Sequence, residues 1–419
     1  MTEPGRIADT ADASTAPSTG ALVRGPSTAT ERALAPDLAR GFMLLLIALA
    51  NTPWYLYGQA SGMTSAHPVD GSTLDRIVQF LLITAVDARI YPLFAFLFGY
   101  GIVQLYRRQI EAGATDQAVR AILRRRHWWM IVFGAVHAAL LWFGDIVGAY
   151  GLVGLIMVAI FLRRMDRTLI VWAAVLTGIL TVITLLGLVS LPFIPADPAF
   201  EQGGGFADPA ALSGEEDYLA SVLLRLATWP LIAIAQGIIG LVVPTMILLA
   251  FWAARRQILE DPRAHARLLR RTAVIGVAVG VLGGLPNALT HVGVFELGPH
   301  QSWIFTLTQS VTGIFGGLGY VAVFTLLADR LQRAGSASVP VVAIQAVGKR
   351  SLSNYLGQSV IFAPLLSAWG IGLGADLNSA GVAAIAVAGW ALLAAVAYLY
   401  ERRGWRGPAE RLLRRLAYR

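Results

Sequence analysis

Long apolar runs separated by gaps of alternating charge are the feature that most constrains this chain. Of its 33 Lys and Arg residues, 30 lie in every second gap. These basic gaps are the tail up to Arg40, then 107–126, 163–167, 255–271, 330–350 and 402–419. The other gaps carry Asp and Glu, and only Arg76, Arg89 and Arg225 break the alternation. Because short loops rich in Arg resist translocation, the basic gaps are predicted to face the cytoplasm.

The composition agrees with a membrane protein. Charged residues are 14% of the chain and the mean hydropathy is +0.63, whereas soluble domains carry about 25% charge. A spanning helix needs about 20 apolar residues. Ten runs qualify: 39–57, 89–106, 127–144, 146–162, 169–192, 227–252, 272–292, 302–328, 351–372 and 379–400. The predicted fold is an all-α, polytopic transmembrane helical bundle of about ten spans with both ends in the cytoplasm.

The domain organisation follows from these runs. We predict a disordered cytoplasmic tail (1–35), an N-terminal membrane half (36–192), an external acidic loop (193–225), a C-terminal membrane half (226–400) and a basic cytoplasmic tail (401–419). The run 77–86 is too short to span and is predicted to be re-entrant or interfacial, or part of one long tilted helix. The expected location is a cell membrane, with the basic gaps on its cytoplasmic side. The net charge of +8 sits at helix ends, which suits anionic lipids rather than nucleic acid.

Polar residues at membrane depth are functional candidates, because they are costly in hydrocarbon. The alternative for each is a structural hydrogen bond between helices. On the cytoplasmic side, Asp37 and Arg40 share a helix face and also fit a simple capping pair. The ninth span opens with a polar stripe that lines either a helix interface or a cavity. The stripe and its basic flank are Lys349, Arg350, Ser351, Asn354, Tyr355, Gln358 and Ser359.

A second group of candidates lies in the middle and outer parts of the predicted bundle. His137 is expected near mid-bilayer, and an imidazole suits general-base chemistry near neutral pH. Asp145 sits in the next outer turn, eight residues away, or roughly 12 Å along a straight helix. That spacing predicts no direct His137–Asp145 pair, so substrate would lie between them. Asn51, Arg89 and His291 are the remaining outer candidates, with Arg89 placed near the outer mouth.

Several strings resemble the YeiB family of bacterial inner-membrane proteins, which contains domain of unknown function 418. They are Asp37 to Gly41, Phe94 to Gly101, His137, Trp142 to Ile146, Tyr150 to Leu155, Gly348 to Ser359 and Trp405 to Glu410. The likeness runs from about residue 34 to the C-terminus. Family members often have Arg at the position of Lys349, and Ser351 and Ser353 also depart from the usual pattern. These changes leave the polar stripe intact.

The family is distantly similar to membrane acyltransferases, and this implies a reaction class. An acyl group would pass from cytoplasmic acyl-CoA to an envelope acceptor, a sugar or lipid hydroxyl or amine. His137 would act as general base or acyl carrier, and Asp145 would orient substrate. Arg40 and Arg350 would contact the phosphates of the donor, to which a guanidinium presents a fork of donors. The resemblance implies acyl-CoA as a substrate, with no bound cofactor and no metal.

The sequence leaves two other functional hypotheses open. Ten helices with a polar interior suit a small-molecule transporter or permease equally well. A non-catalytic envelope-assembly protein is the third reading, and homo-oligomerisation is compatible with all three. The absence of cysteine excludes disulfides and thiolate metal sites. Soluble catalysis is excluded, since no phosphate loop, metal-ligand string or nucleophile elbow is present.

Overall fold

The computed structural model is helical throughout the residues that it describes, which are 34–62, 64–193, 209–295, 297–335 and 338–418. No β-strand forms among them, and the predicted all-α class is confirmed. The predicted disordered tail lies outside the described residues except for its last two positions. The centre of the predicted loop 193–225 lies outside them as well.

The helices are numbered here in chain order. The first half contains α1 (Leu34–Asn51), α2 (Thr73–Ala85), α3 (Ile90–Glu111), α4 (Asp116–Leu140), α5 (Ile146–Phe161) and α6 (Asp166–Ser190). The second half contains α7 (Tyr218–Ile234), α8 (Val242–Arg255), α9 (Ala266–His291), α10 (Ile304–Arg333), α11 (Val339–Lys349), α12 (Ser351–Leu366), α13 (Ser379–Arg402) and α14 (Pro408–Tyr418). Short helical turns at Pro209–Ser213 and Pro299–Ser302 complete the described part.

Six helical segments of the described chain are long and apolar enough to cross a bilayer. They are Thr73–Glu111, Asp166–Phe193, Tyr218–Ile239, Ala266–His291, Ile304–Arg333 and Ser379–Arg402. The chain is therefore a multi-pass membrane protein. Several other apolar helices, α5, α8 and α11 among them, are shorter than a full span, so the count of ten stays a prediction.

Ion pairs gather the basic gaps at one end of the bundle, which we call the basic end. The pairs are Arg107–Glu260 (3.3 Å), Arg163–Asp116 (3.9 Å), Arg255–Asp166 (3.0 Å) and Arg263–Asp329 (3.4 Å). Helix α14 packs against α4 and α12 at the same end, so the predicted basic tail 401–419 is largely helical. We call the other end of the bundle, where the acidic gaps lie, the acidic end.

The predicted span 227–252 is wrong as a single helix. Helix α7 runs into a π-helical turn at Ala235–Ile239, and α8 starts again at Val242 after Leu241, whose φ is 58°. The start also differs, because α7 begins at Tyr218, inside the predicted loop 193–225. Asp217 provides the reason, since its side chain accepts a hydrogen bond of 2.7 Å from the Ala220 N–H and so caps the helix.

The apolar run 77–86 belongs to a helix of its own, α2. Ser72 and Asp75 start it through reciprocal capping, with the Asp75 N–H donating to Ser72 Oγ at 3.3 Å and the Ser72 N–H donating to Asp75 Oδ2 at 2.9 Å. One turn at residues 86–89 joins α2 to α3, and together they form an apolar segment of 39 residues. The run therefore leads into the second span as a bent helical unit.

Glycines bring α5 into close contact with α4, as the spacing of Gly148, Gly151 and Gly154 predicts. A Cβ on Gly151 would lie 2.7 Å from the His127 carbonyl oxygen, and one on Gly154 would lie 2.6 Å from the His127 ring. Larger residues would push the two helices apart. This tight packing fixes the start of α5 against the end of α4, where the candidate site lies.

Candidate functional site

His137 and Asp145 form a direct hydrogen-bonded pair, with 2.8 Å between His137 Nδ1 and Asp145 Oδ1. The prediction that they cannot pair is wrong, because it assumed one straight helix. Helix α4 ends at Leu140, and the chain reverses over 141–145. Asp145 is then the N-cap of α5, where its Oδ2 accepts a 2.7 Å bond from the Gly148 N–H. This cap holds the carboxylate facing back toward α4.

The pair is enclosed, with side-chain exposures of 2% for His137 and 0% for Asp145. A carboxylate only accepts hydrogen bonds, so Nδ1 carries the imidazole proton and Nε2 presents a lone pair. Nε2 has no hydrogen-bond partner among the described residues. Most buried polar atoms in proteins do have one. The arrangement is therefore a buried, oriented base with its reactive nitrogen unengaged.

Tyr355 joins this pair to the rest of the bundle from α12. Its ring packs edge-on against the His137 ring, with centroids 5.3 Å apart. Its hydroxyl oxygen accepts a hydrogen bond of 3.3 Å from the Ile146 N–H, directly after Asp145. Tyr355 is thus fixed beside the dyad, and its ring also borders a large cavity.

The cavity has a volume of about 700 Å³ and extends from the basic end toward the dyad. Its basic lining residues are Arg40, Arg107, Arg108, Arg126, Lys349 and Arg414, and its acidic ones are Asp37, Glu111, Glu260 and Glu410. Near the dyad the lining is mostly apolar, formed by Met43, Phe94, Phe98, Met130, Val147 and Tyr355. A cationic mouth and an apolar inner part suit an amphiphilic anion.

Four of the predicted binding residues line this cavity, namely Asp37, Arg40, Lys349 and Tyr355. Arg40 pairs with Asp37 at 3.3 Å and donates to the Leu97 carbonyl at 3.2 Å, which ties α1 to α3. Lys349 contacts Glu401 at 2.7 Å. These contacts hold the cationic groups at fixed positions in the wall.

The other polar residues of the predicted cytoplasmic cluster bind protein groups instead. Arg350 donates to Glu401 at 2.8 Å and to the Trp405 carbonyl at 2.6 Å. Asn354 donates to the Arg350 carbonyl at 2.9 Å, and Gln358 to the Leu44 carbonyl at 2.8 Å. None of these three is a lining residue. These three residues therefore line a helix interface, as one of the two interpretations of the polar stripe predicts. Tyr355 lines the cavity, as the other predicts.

Arg89 lies far from the predicted outer mouth. It is 1% exposed, and its guanidinium donates to the carbonyls of Ile83, Asp87 and Gly280. Gly280 and Gly316 lie about halfway along α9 and α10 and leave room for this side chain. Carbonyl oxygens therefore solvate its charge, and it does not reach Asp145.

Asn51 and His291 are the last residues of α1 and α9. Asn51 ends α1 and is not a lining residue of the cavity. His291 Nε2 lies 3.1 Å from the Pro68 carbonyl, in a polar cluster at the acidic end. Loop 58–72 folds over the end of α9 and engages His291, and the shared outer site of Asn51 and His291 with His137 stays a prediction.

That polar cluster contains residues that the sequence analysis missed. Buried His67 has its Nδ1 3.2 Å from Ser379 Oγ, and Gln79 donates to the same hydroxyl at 2.9 Å. Burial, with a smaller effect of His291, lowers the pKa of His67 from 6.5 to about 3. No sequence signal marked these residues, since they come from a polar loop and two separate helices.

Comparisons with known proteins agree with the resemblance. The sequence profile of the family described as "Protein of unknown function (DUF418)" matches residues 253–419. The uncharacterized protein YxaH of Bacillus subtilis (strain 168) is 23% identical over 417 residues, covering 94% of this chain and 96% of the relative. The uncharacterized protein YeiB of Escherichia coli (strain K12) is 27% identical over 416 residues, covering 93% of this chain and 97% of the relative. The profile match over the C-terminal part and these nearly full-length relatives show that the chain is similar to members of the YeiB/DUF418 family.

Proposed function

We propose that this protein is a membrane acyltransferase that moves an acyl group from cytoplasmic acyl-CoA to a hydroxyl or amine acceptor in the envelope. The observation that carries the proposal is the buried Asp145–His137 pair. The pair lies behind Tyr355, which lines the inner part of a cavity that opens at the basic end, and His137 Nε2 has no hydrogen-bond partner among the described residues. The positive-inside rule assigns that end to the cytoplasm.

The donor side is supported by the lining of the cavity. Arg40, Arg107 and Arg126 present guanidinium groups, which recognise phosphate through paired hydrogen bonds. The apolar inner part accommodates an acyl chain and places its thioester toward Tyr355. Six basic against four acidic lining residues also attract an anionic donor.

The chemistry requires one base that later acts as an acid. As the acceptor oxygen attacks the thioester carbonyl carbon, His137 Nε2 takes the hydroxyl proton. The tetrahedral intermediate then collapses, the carbon–sulfur bond breaks, and the imidazolium returns that proton to the departing thiolate. The products are an ester and free CoA thiol. Asp145 stabilises the imidazolium that forms between these two steps.

Burial of the dyad protects this reaction from water. Neither His137 nor Asp145 is a lining residue of the cavity, and Tyr355 stands between. Contact between the thioester and Nε2 therefore requires release of the ring packing and hydrogen bond that hold Tyr355. This arrangement keeps acyl-CoA from hydrolysis while no acceptor is present.

The test is transfer of label from radioactive acetyl-CoA to added hydroxyl and amine acceptors by the purified protein in nanodiscs. His137→Ala should remove transfer, whereas His265→Ala, a half-buried histidine at the basic end that is not a lining residue, should leave it unchanged. Equal turnover of wild type and His137→Ala would overturn the mechanism. Counterflow of a solute in vesicles without any acyl donor would instead establish a transporter.

A further inference from the structure

We infer that the acceptor is a membrane-anchored molecule with a hydroxylated head group, which reaches His137 by displacing helix α7 at the acidic end of the bundle. This inference rests on the proposed function for its chemistry. Its structural argument uses residues on α7 and on the turn between α4 and α5, none of which belongs to the donor cavity.

Helix α7 covers both halves of the dyad. Arg225 donates to the carbonyls of Ala138 at 3.1 Å and Ala139 at 2.9 Å, the two residues that follow His137. One turn further along α7, the Trp229 ring packs against Gly148, whose N–H holds the Asp145 carboxylate. A shift of α7 would therefore uncover the pair from this side.

The opposite face of α7 is apolar and exposed. Leu219 is 71% exposed, Leu223 69% and Leu231 59%. In a membrane-spanning bundle, an exposed apolar face of this kind lies against lipid rather than water. Helix α7 thus separates the dyad from the bilayer, and a molecule that enters beneath it comes from the lipid phase.

Polar atoms below α7 match a hydroxylated ligand. The indole Nε1 atoms of Trp142 and Trp229 are buried and have no hydrogen-bond partner among the described residues. A buried indole N–H normally finds an acceptor. Together with His137 Nε2 they offer two donors and one acceptor close to the turn between α4 and α5. A hydroxylated head group would accept from the indoles and donate its reacting proton to Nε2.

The backbone after α7 has the features of a hinge. The π-helical turn Ala235–Ile239 follows it. Such turns are rare in proteins overall, but those that occur are often at functional sites. Leu241 then adopts a left-handed conformation, with φ at 58°, which costs energy for a residue with a Cβ. The change of direction between α7 and α8 is concentrated in these few residues, so α7 can rotate about them.

A disulfide lock tests this access route, and the chain contains no other cysteine. A Cβ on Gly237 would lie 3.8 Å from the Ala149 Cβ, which is the usual spacing in a disulfide. Gly237→Cys with Ala149→Cys should therefore fix the π-helical turn after α7 to α5 when oxidised, which prevents α7 from rotating about that turn. Each single variant serves as a control, and dithiothreitol releases the lock.

The probes are octyl glucoside and methyl glucoside, which share a head group and differ in the alkyl chain. Binding to the protein in nanodiscs is measured by displacement of labelled octyl glucoside, with no acyl donor present. We expect octyl glucoside to bind at least about tenfold more tightly, to lose binding in the oxidised double variant and to regain it on reduction. Absent binding, equal binding of methyl glucoside, or binding that is insensitive to the lock would each overturn the inference.

The same material separates this inference from the proposed function. Acetyl-CoA should bind the locked and released forms equally, because its cavity lies at the basic end. If the lock controls octyl glucoside binding but wild type transfers no acyl group, the proposed function fails and the access route stands. If transfer occurs equally in the locked protein, the access route fails and the proposed function stands.

Discussion

Two buried histidines, His137 and His67, resemble each other closely and differ in one partner. They are 4% and 1% exposed, and the Nε2 of each lacks a hydrogen-bond partner among the described residues. Nδ1 of His137 lies 2.8 Å from the Asp145 carboxylate, whereas Nδ1 of His67 lies 3.2 Å from the Ser379 hydroxyl. A carboxylate stabilises an imidazolium and a hydroxyl does not, so only His137 is equipped to accept a proton.

The rings that neighbour His67 and His137 also differ. The nearest ring to His67 is His291, with centroids 6.2 Å apart, so a positive charge on either disfavours one on the other. His137 instead packs against Tyr355, which borders the cavity that opens at the basic end. Burial alone therefore does not identify a reactive histidine in this molecule. Under the proposed function, the Nδ1 partner and the contact with Tyr355 distinguish His137 from His67.

The largest expected difference between the two histidines is in catalysis. His137→Ala should reduce acyl transfer by about 10⁴-fold, the upper range for a general base. His67→Ala should leave turnover close to wild type, since it touches neither the dyad nor the cavity. Radiolabel transfer at saturating donor measures both variants in parallel. Comparable losses in the two variants would mean that the Nδ1 partner does not decide which histidine reacts.

Replacing the partner rather than the histidine gives a smaller effect. Asp145→Asn keeps an oxygen that accepts from the Gly148 N–H, so the cap of α5 should survive. It removes the negative charge that stabilises the imidazolium, and turnover should fall about 10²-fold. The matched change, Ser379→Ala beside His67, should leave the rate unaltered. An Asp145→Asn variant as active as wild type would show that the carboxylate only orients the ring.

The cavity beside His137 should respond through donor affinity. Arg40→Gln removes one guanidinium from the wall and should raise the KM for acyl-CoA about tenfold with little change in kcat. Arg411→Gln is the control, because Arg411 is exposed on α14 and is not a lining residue. Initial rates over a range of donor concentrations separate the two constants. A fall in kcat at unchanged KM would place Arg40 in the chemical step instead.

The sequence predicted where along the bundle axis residues lie better than it predicted which side chains they contact. The spacing of basic gaps predicted that the Arg-rich turns share one end of the bundle, and their ion pairs confirm it. The position of His137 within its apolar run predicted a place near mid-bilayer, and the structure shows the side chain to be buried. Its pairing with Asp145 depends on a chain reversal at 141–145. Helical periodicity does not show such a reversal. The eight residues from His137 to Asp145 were therefore predicted to continue one straight helix, which would keep the two side chains apart.

The sequence predicted neither the break between α7 and α8 nor the polar cluster near His67, for related reasons. Residues 227–252 read as one apolar span, and nothing in their composition marks a break beside Gly240. Loop 58–72 is polar and reads as exposed, yet it folds onto α13 and α2 through His67, Ser379 and Gln79. Contacts between segments that are distant in the chain produce both features. Such contacts cannot be predicted from local patterns in one sequence.

The smallest expected effect separates the two histidines by pH. His67 stays neutral in the fold because burial lowers its pKa to about 3, whereas its ordinary pKa of 6.5 applies in the unfolded chain. The unfolded segment therefore binds a proton first. The stability that His67 lends to loop 58–72 is complete above about pH 6.5 and declines as the pH falls toward 3, by about 2 kcal/mol at pH 5. Hydrogen-exchange protection factors of this loop should drop between pH 7 and pH 5 in wild type and change much less in His67→Gln. An equal drop in His67→Gln would assign the acid sensitivity to another group, with neighbouring His291 the first to replace.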